Sequence, residues 1–199
     1  LLDWHRRAIE RVDNMETLRG EEGRAANVYF GVFDHLILHQ KDDFIFHGRS
    51  RRPPKDEVNA MLSFVYTLLA NEVAAALESV GLDPYVGFMH TLRPGRVSLA
   101  LDMMEELRPY LADRLVLSLI NRRQVTGKDF IRQGDDSFVM TDECRKSLIT
   151  AWQSRKKETI EHPYLKEKIS VGLLPYAQAM LLARFLRDDL DDYPVFLMR

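Results

Sequence analysis

Val58, Met61, Leu62, Val65, Leu69, Val73 and Leu77 recur at spacings of three and four residues. That is the period of one helical face. Asp56 stands where it can cap the start of this helix. Gly81 can stop it, and Asp83-Pro84 forbids its continuation. A long helix with so apolar a stripe has to be covered by other elements. The stripe is therefore expected to be central core, and the chain to build a helical fold around it.

The rest of the pattern is helical almost throughout. Trp4, Ala8, Ile9 and Val12 predict a first helix. A second is expected from near Gly20 through Ala25, Val28, Tyr29, Val32 and Phe33. Residues 38–55 show no clean period and read as a long loop. After a turn at Thr91–Gly95, a helix is expected from about Ser98 to Leu107. Pro109 suits the first turn of the next helix, which carries Leu111, Leu115, Val116, Leu119 and Ile120. Residues 129–140 are the exception and read as a short β-hairpin, after which Thr141 can cap a helix. Gly172 and Pro175 predict a kinked or split last helix over 166–190. The expected fold class is all-α: a helical bundle with one short β-hairpin near 129–140, in one domain over residues 1–199.

Composition bounds the function classes. Apolar residues are 46% and charged residues 29% of 199, a globular balance rather than a disordered one. No apolar run reaches the roughly 18 residues that span a bilayer, so no membrane partner is expected. No cleavable signal opens the chain, and the lone Cys144 allows no internal disulfide. A cytoplasmic setting is the simpler reading. The net charge of -2 argues against a plain nucleic-acid coat, but the distribution is uneven. Arg49, Arg51, Arg52 and Lys55 form one basic cluster. Arg122 with Arg123, and Arg155 with Lys156 and Lys157, form two more, while Asp188, Asp189, Asp191 and Asp192 crowd the tail. Because the first residue is Leu1, the chain reads as a piece of something longer.

Two carboxylates, Asp102 and Glu105, share a helix face at i and i+3. Like charges so placed repel, and a cation beside them would remove the penalty. Glu106 points elsewhere and is expected to be solvated. His90 ends an apolar run, Tyr85 to Met89, just before a turn. A neutral imidazole suits Mn, Zn or Fe better than Mg. A buried histidine bonded to backbone is the alternative. Glu22 is expected in the first turn of a helix, between Gly20 and Gly23; helix-dipole compensation explains it or Glu21 equally well. His35 and His39, four apart, form a weaker pair, and Glu72 is either a buried network member or exposed. Cys144 has no partner at zinc-ligand spacing, and no phosphate-binding P-loop occurs. Histidine plus carboxylates is a divalent-metal ligand set. With basic clusters in the same chain, it points to phosphodiester chemistry on nucleic acid.

Several strings carry a family resemblance. Gly20-Glu21-Glu22-Gly23-Arg24-Ala25-Ala26-Asn27-Val28-Tyr29-Phe30 resembles the catalytic-glutamate segment of the CRISPR-associated integrase, the spacer-acquisition nuclease. Gly81-Leu82-Asp83-Pro84 through Gly87-Phe88-Met89-His90 resembles its histidine motif, and Leu101-Asp102-Met103-Met104-Glu105-Glu106-Leu107-Arg108-Pro109 its third motif. Asn59-Ala60-Met61-Leu62-Ser63 and the closing Tyr193-Pro194-Val195-Phe196-Leu197 are similar too, with wording nearest the type I-C branch.

The resemblance implies that Glu22, rather than Glu21, joins His90 and Glu105 in holding Mn2+ or Mg2+, with Asp102 as an accessory acid. It implies a metal-dependent DNA endonuclease and integrase that joins spacer 3′ ends into the repeat by transesterification. Arg93 and Arg108 would lie near DNA phosphates, with the duplex running over Arg51, Arg52, Arg122 and Arg123. Full-length members begin with a β-rich domain that contributes to dimerisation, so the chain is expected to be the C-terminal helical catalytic domain alone. Double-stranded DNA, a second copy in the full-length protein and the small second adaptation protein are the implied partners. The competing reading is a non-catalytic helical scaffold that binds DNA or another adaptation protein.

Overall fold

The apolar stripe lies on one helix, α3 (Glu57–Ser79). In the computed structural model, which describes residues 2–198, all seven stripe residues from Val58 to Leu77 are wholly buried. Asp56 caps the start, its Oδ1 accepting from the Asn59 amide at 2.7 Å. Gly81 closes the end at φ +82°, a conformation that favours glycine, and the Leu82 amide returns to the Leu77 carbonyl at 3.0 Å. By length and composition α3 could cross a bilayer, which corrects the expectation that no apolar stretch is long enough. Its buried stripe is that of a core helix.

Among the described residues six further α-helices precede or follow it along the chain: α1 (Leu2–Ile9), α2 (Met15–Gly31), α4 (Ser98–Arg108), α5 (Arg114–Asn121), α6 (Asp142–Lys156) and α7 (Leu174–Leu186). The residues divide into two compact units, 1–63 with 117–144 and 64–116 with 145–199. The boundaries fall inside α3, α5 and α6.

In the first unit α2 starts five residues earlier than expected. Asn14 is the reason: its side chain accepts from the Thr17 amide at 2.9 Å, a helix-starting bond. Residues 37–56 form no helix or strand, as expected, yet they are anchored. Phe44 and Phe46 are buried, and Phe46 packs on Phe33 with centroids 5.0 Å apart. Asn59, fully buried, holds the loop from α3: it donates to the Gly48 carbonyl at 2.8 Å and accepts from Arg49 at 2.6 Å and the Ser50 amide at 3.0 Å. Arg49 is thereby drawn out of the basic cluster into the structure. The hairpin β1 (Phe130–Arg132) and β2 (Phe138–Met140) lies where expected, with Ile131 opposite Val139.

In the second unit a π-helical turn, Pro109–Asp113, joins α4 to the start of α5. Proline has no N–H and its ring crowds the preceding turn; the wider turn accommodates it, and the Arg114 amide reaches the Pro109 carbonyl. Thr141 caps α6 as expected, accepting from the Cys144 amide at 3.2 Å. The expected last helix is not one helix. A second antiparallel hairpin, β3 (Thr159–Glu161) with β4 (Lys168–Ser170), precedes it, and α7 begins only at Leu174 with Pro175 in its first turn. Glu72 is a half-buried network member: it accepts from the Trp152 indole at 2.8 Å and Lys156 at 2.6 Å.

Candidate functional site

Asp102 stands one turn into α4, behind a segment that approaches the helix end-on. The amides of Leu99 and Ala100, free donors in the first turn of α4, reach the Pro84 carbonyl at 2.9 and 3.3 Å. The segment's own donors are met in turn by Asp102. Its Oδ2 accepts from the Phe88 and Met89 amides at 2.5 and 2.9 Å. Its Oδ1 accepts from the His90 amide at 2.9 Å and meets His90 Nδ1 at 2.6 Å. Burial alone would raise the Asp102 pKa, but the bonds from His90 and the three amides outweigh it and hold the carboxyl below its ordinary value. An ionised carboxylate only accepts, so Nδ1 carries the proton and donates. Nε2 is left without a hydrogen-bond partner among the described residues. His90 is thus not the backbone-bonded buried histidine that its motif alone allowed; its side chain is 23% exposed.

Glu105, one turn further along α4, is half-exposed and pairs with Arg108 at 2.8 Å. The Arg108 guanidinium also lies 4.7 Å over the Tyr66 ring, and the Tyr66 hydroxyl donates to Asp113 at 2.5 Å. Each carboxylate of the i, i+3 pair therefore has its own source of relief, and no cation between them is needed to explain it. Arg108, with a side chain only 13% exposed, is a partner of Glu105 and Tyr66 rather than a free surface cation.

Glu21 and Glu22 are separated by their surroundings. Both lie in the middle of α2, not in its first turn, so helix-dipole compensation accounts for neither. Glu21 is buried against His5, whose Nδ1 is 3.1 Å away, and pairs with Arg24. His5, and then Arg24, hold its carboxyl below the ordinary range. Glu22 is exposed and has no hydrogen bond or ion pair among the described residues.

Glu106 overturns its expectation. Instead of being solvated it is enclosed by the tail. It accepts from the Tyr193 hydroxyl at 2.5 Å, the Phe196 amide at 2.6 Å and Gln178 at 3.0 and 3.1 Å. Burial dominates here and raises its pKa despite those bonds. Buried His162 completes the group. Its Nδ1 accepts from the Tyr164 and Leu165 amides, so Nε2 carries the hydrogen and donates to Gln178 Oε1 at 3.0 Å.

The basic clusters also divide. Arg51, Arg52, Arg93, Arg122 and Arg123 are exposed and their side chains have no partner among the described residues. Arg155 donates to the Tyr110 carbonyl at 3.1 Å and to Glu158 at 2.9 Å, and Lys156 is tied to Glu72. His35 closes a short 3-10 turn (Phe33–Leu36) and His39 lies beyond it, so the two do not share a helix face. Glu22 belongs to the first unit, and His90, Asp102 and Glu105 to the second. Among the described residues no group of three or more His, Cys, Asp or Glu side chains forms a ready-made metal cluster. The donor chemistry, one imidazole with carboxylates, fits a divalent ion such as Mn2+: a carboxylate behind Nδ1 is the usual support of a metal-ligating imidazole, Glu22 is exposed, and Glu105 is half-exposed and paired with Arg108.

Comparison with known proteins adds a second line. The family model for CRISPR associated protein Cas1 matches residues 2–154. A relative in Rhodospirillum rubrum, CRISPR-associated endonuclease Cas1 2, is 59% identical over 92% of the chain and 53% of its own length. The chain thus spans about half the length of this relative and of another in Chlorobaculum tepidum. Among solved structures, a casposase bound to integration product superposes with a TM-score of 0.84 at 25% identity, over 94% of the chain and 53% of the casposase. A Cas6-RT-Cas1–Cas2 complex gives 0.82 at 26% identity, over 98% of the chain and 21% of the other.

Proposed function

Since the chain belongs to the CRISPR-associated Cas1 family, we propose that it is the catalytic part of a metal-dependent DNA endonuclease and integrase of CRISPR adaptation. In this reading Glu22, His90 and Glu105 hold Mn2+ or Mg2+, and spacer 3′ ends are joined into the repeat by transesterification. One observation carries the reading. Neighbouring carboxylates are committed inside the protein — Glu21 to His5 and Arg24, Asp102 to the His90 segment, Glu106 to the tail — while Glu22 and His90 Nε2 are left uncommitted. They are two of the three groups that the ligand assignment requires; the third, Glu105, is paired with Arg108.

When bound, the ion supplies Lewis acidity at a phosphate oxygen and stabilises the charge that builds there. The chain's own residues provide the rest. Asp102 fixes the His90 ring with Nδ1 protonated, so that Nε2 keeps its lone pair in the neutral ring. Arg108 holds Glu105 in place from the same helix. Exposed Arg51, Arg52, Arg93, Arg122 and Arg123 offer charge to a DNA backbone. The relative's name, endonuclease, and the casposase's integration product support a DNA substrate. The Cas1–Cas2 complex supports a small second adaptation protein as partner, and a second copy of the chain's full-length form is proposed with it.

Cleavage and strand transfer in Mn2+ test the assignment. Glu22→Ala and His90→Ala should each lower the rate by orders of magnitude, because each removes a ligand and the charge stabilisation with it. Full activity in both variants would overturn it.

A further inference from the structure

Gly87 directly precedes the three amides that bind Asp102, and its backbone lies close against α4. A Cβ built on it would lie 2.7 Å from Asp102 Oδ2, 2.7 Å from the Ser98 carbonyl carbon and 2.8 Å from Ser98 Cβ. Unstrained side chains do not tolerate such distances. Two of the three atoms belong to Ser98, which is fully buried at the start of α4 and cannot swing aside. Gly87 is not in the left-handed region, unlike Gly81 and Gly95, so its need is for room and not for backbone freedom. Around it the seal is reciprocal. Pro84 covers the α4 amides, Asp102 takes the Phe88, Met89 and His90 amides, and Ser98 Oγ donates to the Thr91 carbonyl at 3.2 Å.

We infer that Gly87 is a positioning residue for His90: its missing side chain lets the 87–90 backbone close on Asp102, and that closure selects the Nδ1–H tautomer and presents Nε2. With any side chain at 87 the backbone must lift away from Ser98 and Asp102. The same shift lengthens the amide bonds at 88–90 and the bond to Nδ1, and the ring is no longer held to one tautomer or one orientation. The role of Nε2 as a ligand rests on the proposed function; the tautomer lock does not.

The test is a nitrogen-15 NMR spectrum of the His90 ring in the 199-residue chain, metal-free and at alkaline pH. The unmodified chain should show the Nδ1–H form alone. Gly87→Ala should shift the ring to a mixture of tautomers while amides far from the loop keep their positions. A His90 spectrum unchanged by Gly87→Ala overturns the inference. Should that variant not fold, Asp102→Asn places an amide group beside Nδ1 without adding bulk; the same mixture is expected, and an unchanged ring again overturns it. Mn2+ titration of the Gly87→Ala chain gives a second reading. Affinity should fall roughly 10–100-fold, the usual loss when a ligating histidine loses its outer support. A tautomer shift with no Mn2+ binding in either chain leaves the positioning role standing and defeats the metal assignment instead.

Discussion

Asp102 and Glu106 stand one helical turn apart on α4, and both are carboxylates saturated with donors, yet their surroundings push them in opposite directions. Asp102 is held below its ordinary pKa by the His90 ring and three backbone amides; Glu106 is pushed above its own by burial. The donors explain the contrast. Asp102 takes hydrogen bonds from the His90 ring and three backbone amides and keeps part of its surroundings open, since Phe88 is exposed. Glu106 faces only neutral donors, from Tyr193, Phe196 and Gln178, and Gln178 is wholly buried. One carboxylate is kept charged to orient a histidine. The other is a clasp that ties residues 193–196 to the back of the helix carrying the site. Tyr193, in turn, is pushed up, first by burial and then by Glu106, so it stays a donor.

The sharpest way to break this comparison is to delete the clasp. Glu106→Ala orphans the Tyr193 hydroxyl, the Phe196 amide and part of Gln178. At about 1–3 kcal/mol for each buried donor left unmatched, a loss of roughly 3–5 kcal/mol is expected. Urea unfolding would measure it, and hydrogen exchange at the Phe196 amide should accelerate by roughly 100-fold or more. A loss below about 1 kcal/mol, with Phe196 still protected, would show the clasp to be incidental.

A smaller effect sharpens the contrast through pH, measured in chelator. Asp102, with its folded pKa lowered, contributes stability that is present above the ordinary aspartate value of 3.8 and lost as pH falls through the folded value. Glu106, with its folded pKa raised, contributes stability that is present below the ordinary glutamate value of 4.5 and lost as pH rises through the folded value. His162, lowered by burial, adds a loss on the acid side of its ordinary 6.5. Differences between the unmodified chain and single variants separate these. The stability gap to Asp102→Asn should shrink as pH falls through the acid range. The gap to Glu106→Gln should shrink as pH rises above 4.5. Gaps that move in the same direction would contradict the opposed roles.

The sequence makes these two carboxylates legible to different degrees. His90 and Asp102 are only twelve residues apart, and turn residues with helical period place each on its element, but the sequence pairs Asp102 with Glu105 and leaves the His90 contact to the structure. The partners of Glu106 lie 72 to 90 residues away, at Gln178, Tyr193 and Phe196, and no local period points to them. The same division holds for the fold. α3, α4 and the first hairpin follow from apolar spacing and turn residues, which are local. The early start of α2 turns on one Asn14 side chain, a cap that its weakly apolar first turns did not advertise. The second hairpin has three-residue strands like the first, but its connection, residues 162–167, holds no glycine turn such as Gly134-Asp135 to mark it. Choosing Glu22 over Glu21 required the family resemblance; the structure supplies a physical difference between them in the burial of Glu21 against His5.

The central proposal is that His90, backed by Asp102, is a ligand of a divalent ion. Calorimetric titration of Mn2+ into the unmodified chain and into His90→Ala tests this most directly. One saturable site is predicted in the unmodified chain, lost or weakened at least tenfold in His90→Ala. Heats that do not saturate, or an identical site in both chains, would contradict it.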